Sequence, residues 1–143
     1  MILDIGCGEK PEGDINLDIN RYVQIGPHSP MVKSKCNIIA NALYLPFRDK
    51  SIEIIYSSHC IEHTISPCSF IKECERVAIQ RIIIKCPSKW MVGNRGNHLH
   101  KYTISSSWLK SYGFNVNVSF IYYPGWSPFC ILRSDEIQAI KEF

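Results

Sequence analysis

The chain has 143 residues, of which 45% are apolar and 20% charged, with a formal net charge of +3. This length points to one domain around one core; the composition excludes a disordered chain, and the charge is too weak to argue for nucleic acid by itself. No apolar run approaches the roughly 20 residues of a membrane helix, and Asp4 interrupts the short N-terminal run where a signal peptide needs an apolar core, so a cytoplasmic protein is expected.

Short runs rich in Ile and Val predict strands at residues 1–5, 15–18, 37–40, 52–57, 81–86, 114–122 and 129–132. The run Ile82-Ile83-Ile84 is continuously apolar, as in a strand buried on both faces of a parallel sheet. Between the strands, Phe70, Ile71, Cys74 and Val77 recur at helical spacing over residues 67–77. Residues 105–112 open with serines suited to an N-cap and stop at Gly113. Ser134-Asp135 predicts the cap of a last helix running to residue 143. Strands alternating with helices give an α/β fold, an open sheet with helices on both faces. The turn-rich link over residues 123–128 predicts an antiparallel hairpin at the sheet edge.

The first strand breaks into Gly6-Cys7-Gly8. Glycines there let the chain turn sharply and let a ligand approach the backbone beyond the carboxyl ends of the strands. Asp18 ends the next strand, placed to accept hydrogen bonds from a ribose diol. A dinucleotide site also needs a third glycine and a helix N-terminus for the pyrophosphate. Residues 9–14 leave room for barely one helical turn, so a nucleoside without phosphates fits better than NAD. The short gap is itself unusual, because parallel strands usually need a crossover of a dozen or more residues. Residues 15–18 therefore either follow a compact loop or pair elsewhere.

The stretches "LDIGCGEKP", "LPFRDKSIEIIYSS" and "CIEH" occur in this order, followed by "FIKECERV", "RIIIKCPS" and "HLHKYT". Together they resemble the class I S-adenosylmethionine-dependent methyltransferases, in the branch acting mainly on small molecules. The resemblance implies a doubly wound, Rossmann-like sandwich with a mostly parallel seven-stranded sheet and an antiparallel edge hairpin. It also implies S-adenosylmethionine as cofactor. Asp4, Gly6, Cys7 and Gly8 would surround the amino-acid end of that cofactor. Asp18 would take the ribose hydroxyls, Asn41 and Ala42 would border the adenine, and Leu43 would pack on its face. Ser58 and His59 would lie near the methyl group. The family's Lys-Pro-Gly-Gly turn is replaced by Ala78-Ile79-Gln80, and no helix precedes Met1 to cover the cofactor. The expected lid is residues 88–101, where Gly93 and Gly96 flank Arg95.

His59, His98 and His100 are the candidate general bases or acceptor contacts, since histidine titrates near neutral pH. A polar network is expected of His63. His59, Glu62, His63, His98 and His100 together could suggest a metal site, but the resemblance matches His63 without any metal and none of the seven cysteines forms a Cys-x-x-Cys pair, so no metal site is expected. Those cysteines are expected to be reduced and structural. Methyl transfer to an oxygen or nitrogen nucleophile is the expected function; the alternative is a non-catalytic protein that binds a cofactor or partner on a trimmed core. The acceptor, small or macromolecular, is not identified by the sequence, no membrane partner is expected, and a homodimer stays open.

Overall fold

The computed structural model describes residues 1–24, 30–88, 100–124 and 131–143. In chain order these form β1 (Ile2–Ile5), β2 (Ile15–Asp18), a hairpin of β3 (Tyr22–Gln24) and β4 (Met31–Lys33), β5 (Ile38–Ile39) and β6 (Ile52–Ser58). A single 3-10 turn (Ile61–His63) and α1 (Pro67–Val77) lead to β7 (Ala78–Pro87), then α2 (Ser106–Ser111), β8 (Asn115–Pro124) and β9 (Ile131–Glu142). Seven strands make one sheet in the order β5-β2-β1-β6-β7-β9-β8. Pairings from β5 to β7 are parallel, and β9 runs antiparallel to both β7 and β8. The doubly wound, mostly parallel architecture with an antiparallel edge hairpin is thus present, and the last strand in chain order lies inside the sheet.

One prediction is overturned. Residues 134–143 are not a helix but part of β9. Ser134-Asp135 reads as a helix cap, but the open edge of β7 offers seven residues of backbone partners, and pairing with it puts Ile137 and Ala139 on one buried face, which outweighs local propensity. The hairpin β3–β4 was not anticipated, because its short strands alternate only between exposed and half-buried. α1 and α2 fall where expected: Ser66 caps α1 by accepting from Ser69 N–H, and Ser105 caps α2 by accepting from Trp108 N–H.

Strand register sorts the side chains into two faces. Leu3, Ile15, Ile55 and Ile82 share one face through their pairings, as do Ile5, Leu17, Ser57 and Ile84. Phe70, Ile71, Cys74 and Val77 of α1 and Leu109 of α2 pack with this face into one core. Lys141, opposite Ile82, ties both helices to it, reaching Glu75 Oε1 and the Tyr112 carbonyl at 2.7 Å each.

The other face carries Asp4, Asn16 and Asp18, and residues 6–14 cross it between β1 and β2. An extended return suffices here because both strands are only four residues long. Ile2 and Asp14 exchange two bonds: Ile2 N–H donates to Asp14 Oδ2 and Asp14 N–H to the Ile2 carbonyl, at 2.8 and 2.9 Å. Glu12 N–H donates to Asp4 Oδ2 at 2.8 Å, and Gly13 N–H donates to Asn16 Oδ1 at 3.1 Å. A Cβ on Gly13 would stand 2.7 Å from the Ile15 carbonyl oxygen and 2.8 Å from Asp4 N, both backbone atoms that cannot give way. Gly8, at φ +54°, has open space around the same position. Gly13→Ala is therefore expected to cost roughly 2–3 kcal/mol through overpacking, against about 1 kcal/mol for the left-handed backbone of Gly8→Ala. Urea unfolding followed by circular dichroism measures both; equal costs would refute the close-approach argument.

Candidate active site

At the carboxyl ends of β1, β2 and β6 lies an open cleft of about 620 Å³ counting its mouth. Gly6 and Asp18 form one wall, Ala42 and Leu43 another, and Cys60, His63, Thr64 and Lys101 close the far side. Gly6 sits at φ +76°, and a Cβ there would meet Cys60 Cβ at 2.7 Å. Only glycine lets the first loop approach the residues after β6 this closely.

Asp18 is 6% exposed and organises the loop around it. Its Oδ2 accepts from Gly8 N–H at 3.0 Å and stands 3.1 Å from Ser34 Oγ, while Oδ1 accepts from Ile19 N–H at 2.8 Å. Lys35 N–H in turn donates to the Gly8 carbonyl at 2.8 Å, tying the base of the β3–β4 hairpin to the glycine loop. The opposite wall is held from α1. Arg76 pairs with Glu73 and donates to the Leu45 and Phe47 carbonyls and to Asp49, while Glu73 Oε2 accepts from Leu45 N–H. This clamp, which holds the Glu73 carboxyl below its usual range through Arg76, fixes the segment after Leu43. Asn41 Oδ1 accepts from Leu43 N–H at 2.9 Å and shapes the turn at the wall.

The sequence model described as "Methyltransferase domain" matches residues 3–81. The chain belongs to this family. No curated protein sequence matches it significantly. Among solved structures, it resembles a SAM-dependent methyltransferase from Archaeoglobus fulgidus at 22% identity, over 98% of this chain and 85% of that one, with a TM-score of 0.60. It resembles another from Methanosarcina mazei at 15% identity, over 99% and 91% of the two chains, with a TM-score of 0.61. The cyclase SpnF has the same fold at 14% identity, over 84% of this chain and 54% of that one, with a TM-score of 0.56. Likeness at such identities speaks for the fold, whereas the match over residues 3–81 speaks for the methyltransferase domain, whose methyl donor is S-adenosylmethionine.

Within this methyltransferase domain the predicted site residues divide. Gly6, Asp18, Asn41, Ala42 and Leu43 line the cleft. Gly8 stands behind its wall, bonded to Asp18. Asp4, Cys7 and Ser58 do not line the cleft; Asp4 turns to the return loop, and Cys7 Sγ lies 3.7 Å from Ser34 Oγ. His59 and His100 stand just outside, and His98 lies outside the described residues, as do residues 89–99 of the expected lid. His63, Thr64 and Lys101 line the cleft without having been singled out for it, although "CIEH" already contained His63.

The electrostatics separate reactive from inert groups. Burial pushes the Cys7 and Cys60 thiols up to about 11 and about 12, so neither is a thiolate nucleophile. His59, in the left-handed region at φ +51°, has its Nδ1 3.5 Å from Glu62 Oε1 and its Nε2 3.0 Å from Glu136 Oε1; Glu62 first, then Glu136, raise its pKa. Burial, and then the neighbouring His63, lower that of His100.

Burial raises Asp4 to about 6 despite the bond from Glu12 N–H. The folded state therefore holds this proton more tightly than the unfolded chain. The resulting stability is present at low pH and falls as pH rises from about 4 to 6, by roughly 3 kcal/mol for about two pKa units. Asp4→Asn, which cannot ionise, should gain that amount relative to the parent between pH 4 and pH 7. Denaturant unfolding across this range checks it, and a pH-independent difference would contradict it.

Proposed function

We propose that the protein transfers a methyl group from S-adenosylmethionine to an oxygen or nitrogen nucleophile of an acceptor that is either a small molecule or a macromolecule. The single observation that carries this reading is the cleft itself: a glycine loop pressed against Cys60, with Asp18 on one side and the apolar Ala42–Leu43 wall on the other. These residues fit a nucleoside. Asp18 has carboxylate lone pairs beyond those its loop uses, suited to ribose hydroxyls. Leu43 offers an apolar surface to a base.

When bound, S-adenosylmethionine would supply a methyl carbon open to in-line attack by an acceptor lone pair, its sulfonium sulfur leaving as a neutral thioether. The chain's own part is to hold the two reactants in register and exclude water between them, which can supply most of the acceleration. Cys60 and His63 stand at the wall where the acceptor would enter. The acceptor's proton leaves through the open mouth, to His59, His100 or water. No described helix is long and apolar enough to cross a membrane. The six described cysteines are free thiols, which is in keeping with the cytoplasm.

Calorimetry tests the donor. S-adenosylmethionine and S-adenosylhomocysteine should bind, and NAD should bind more weakly or not at all. Two hydroxyls on one carboxylate are charge-assisted contacts worth roughly 1.5–3 kcal/mol each, so Asp18→Ala should weaken nucleoside binding on the order of tenfold or more. Unchanged affinity in a folded variant, or tighter binding of NAD, would overturn the reading.

A further inference from the structure

Glu62 presents a problem that methyl transfer does not solve. Its side chain is 1% exposed, and neither carboxyl oxygen has a hydrogen-bond partner. His59 Nδ1, 3.5 Å from Oε1, stands in ion-pair range but beyond the usual length of a hydrogen bond. A buried polar group left in this state is costly unless something else satisfies it.

Two imidazoles converge on the same spot. His63 and His100 meet edge to face with ring centroids 4.8 Å apart. One ligand atom from each of Glu62, His63 and His100 lies within 4.8 Å of the others. The arrangement is built into the backbone. Lys101 and Tyr102 N–H both donate to the Glu62 carbonyl, at 2.8 and 3.2 Å, so the chain entering at His100 is pinned to the 3-10 turn that carries Glu62 and His63.

We propose that Glu62, His63 and His100 form a binding site for one divalent transition cation of the zinc type. Two neutral imidazoles and one carboxylate suit zinc, cobalt or iron(II) far better than magnesium or calcium, which prefer all-oxygen sets. Metal–ligand bonds of roughly 2.0–2.2 Å would require the three ligand atoms to draw in by about 1 Å. Rotamer adjustments of the half-buried His63 and His100 supply that movement. Three protein ligands leave a coordination position open. His63 also lines the cleft, so the ion would stand at its wall. Glu62, His63 and His100 are among the five residues that could suggest a metal site in the sequence, where none is expected, because residues 62–63 and residue 100 come together only through the fold.

Cobalt(II) is the probe. Protein stripped with a chelator and titrated with cobalt(II) should develop visible d–d absorption that saturates at one equivalent. Zinc should abolish the absorption, and millimolar magnesium should leave it unchanged. His100→Ala, at a half-buried position, and the isosteric Glu62→Gln should each weaken binding by at least roughly tenfold, since losing even a supporting group costs that much. Circular dichroism confirms that both variants are folded. Absence of the band, or a band of equal affinity in both variants, would refute the site. Binding of S-adenosylhomocysteine is measured separately on metal-free protein, so the metal site and the methyl-donor reading stand or fall independently.

Discussion

The close passage of residues 6–14 across β1 is the constraint on which the rest of the architecture depends. Parallel pairing of β1 with β2 normally relies on a helix to carry the chain back, and here an extended segment does so. It can because Gly13 carries no side chain and because the Ile2–Asp14 and Asp4–Glu12 bonds replace the bonds a helix would have made for itself. The consequences reach the cleft. The return keeps β2 in register with β1, which places Asp18 one residue beyond Leu17 at the strand end, where it gathers Gly8 and Ser34. Asp4 bears the cost of this economy, buried under the loop with its pKa displaced upward.

The two walls of the cleft are held by different means. On the glycine side, backbone amides converge on one carboxylate. On the Leu43 side, a guanidinium and a carboxylate from the same turn of α1 clasp the backbone of residues 45–47. The second wall thus inherits the rigidity of a helix whose apolar side is fully buried, although its polar clasp lies partly in solvent. What such a surface clasp contributes is geometry more than stability.

Much of this was legible in the sequence, for identifiable reasons. The sheet strands announced themselves because their side chains face a core, and α1 because Phe70, Ile71, Cys74 and Val77 repeat at its period. Asp18 was legible because an acid at the end of a second strand has few structural reasons to be there. The hairpin β3–β4 was not, since it buries too little to leave a pattern. β9 was misread because Ser134-Asp135 is as good a helix cap as any, and only the vacant edge of β7 shows that the residues after it form a strand. Lys101 was foreseen only as the last residue of the expected lid, because its place on the cleft follows from backbone bonds to Glu62 far away in the chain.

The place of β9 between β7 and β8 has a consequence for how the chain is made. A ribosome delivers β7 well before β9 and β8 just ahead of it, yet β7 and β8 never pair with each other. Until β9 emerges, β7 presents a long open edge and β8 has no neighbour at all, while α2 lacks the Lys141 tether that joins it to α1. Folding during synthesis can assemble the half with β1, β2 and β6 early, but the other half must wait for its central strand. In that interval the nascent chain exposes an edge suited to pairing with any other extended segment, the condition in which chaperones most often intervene.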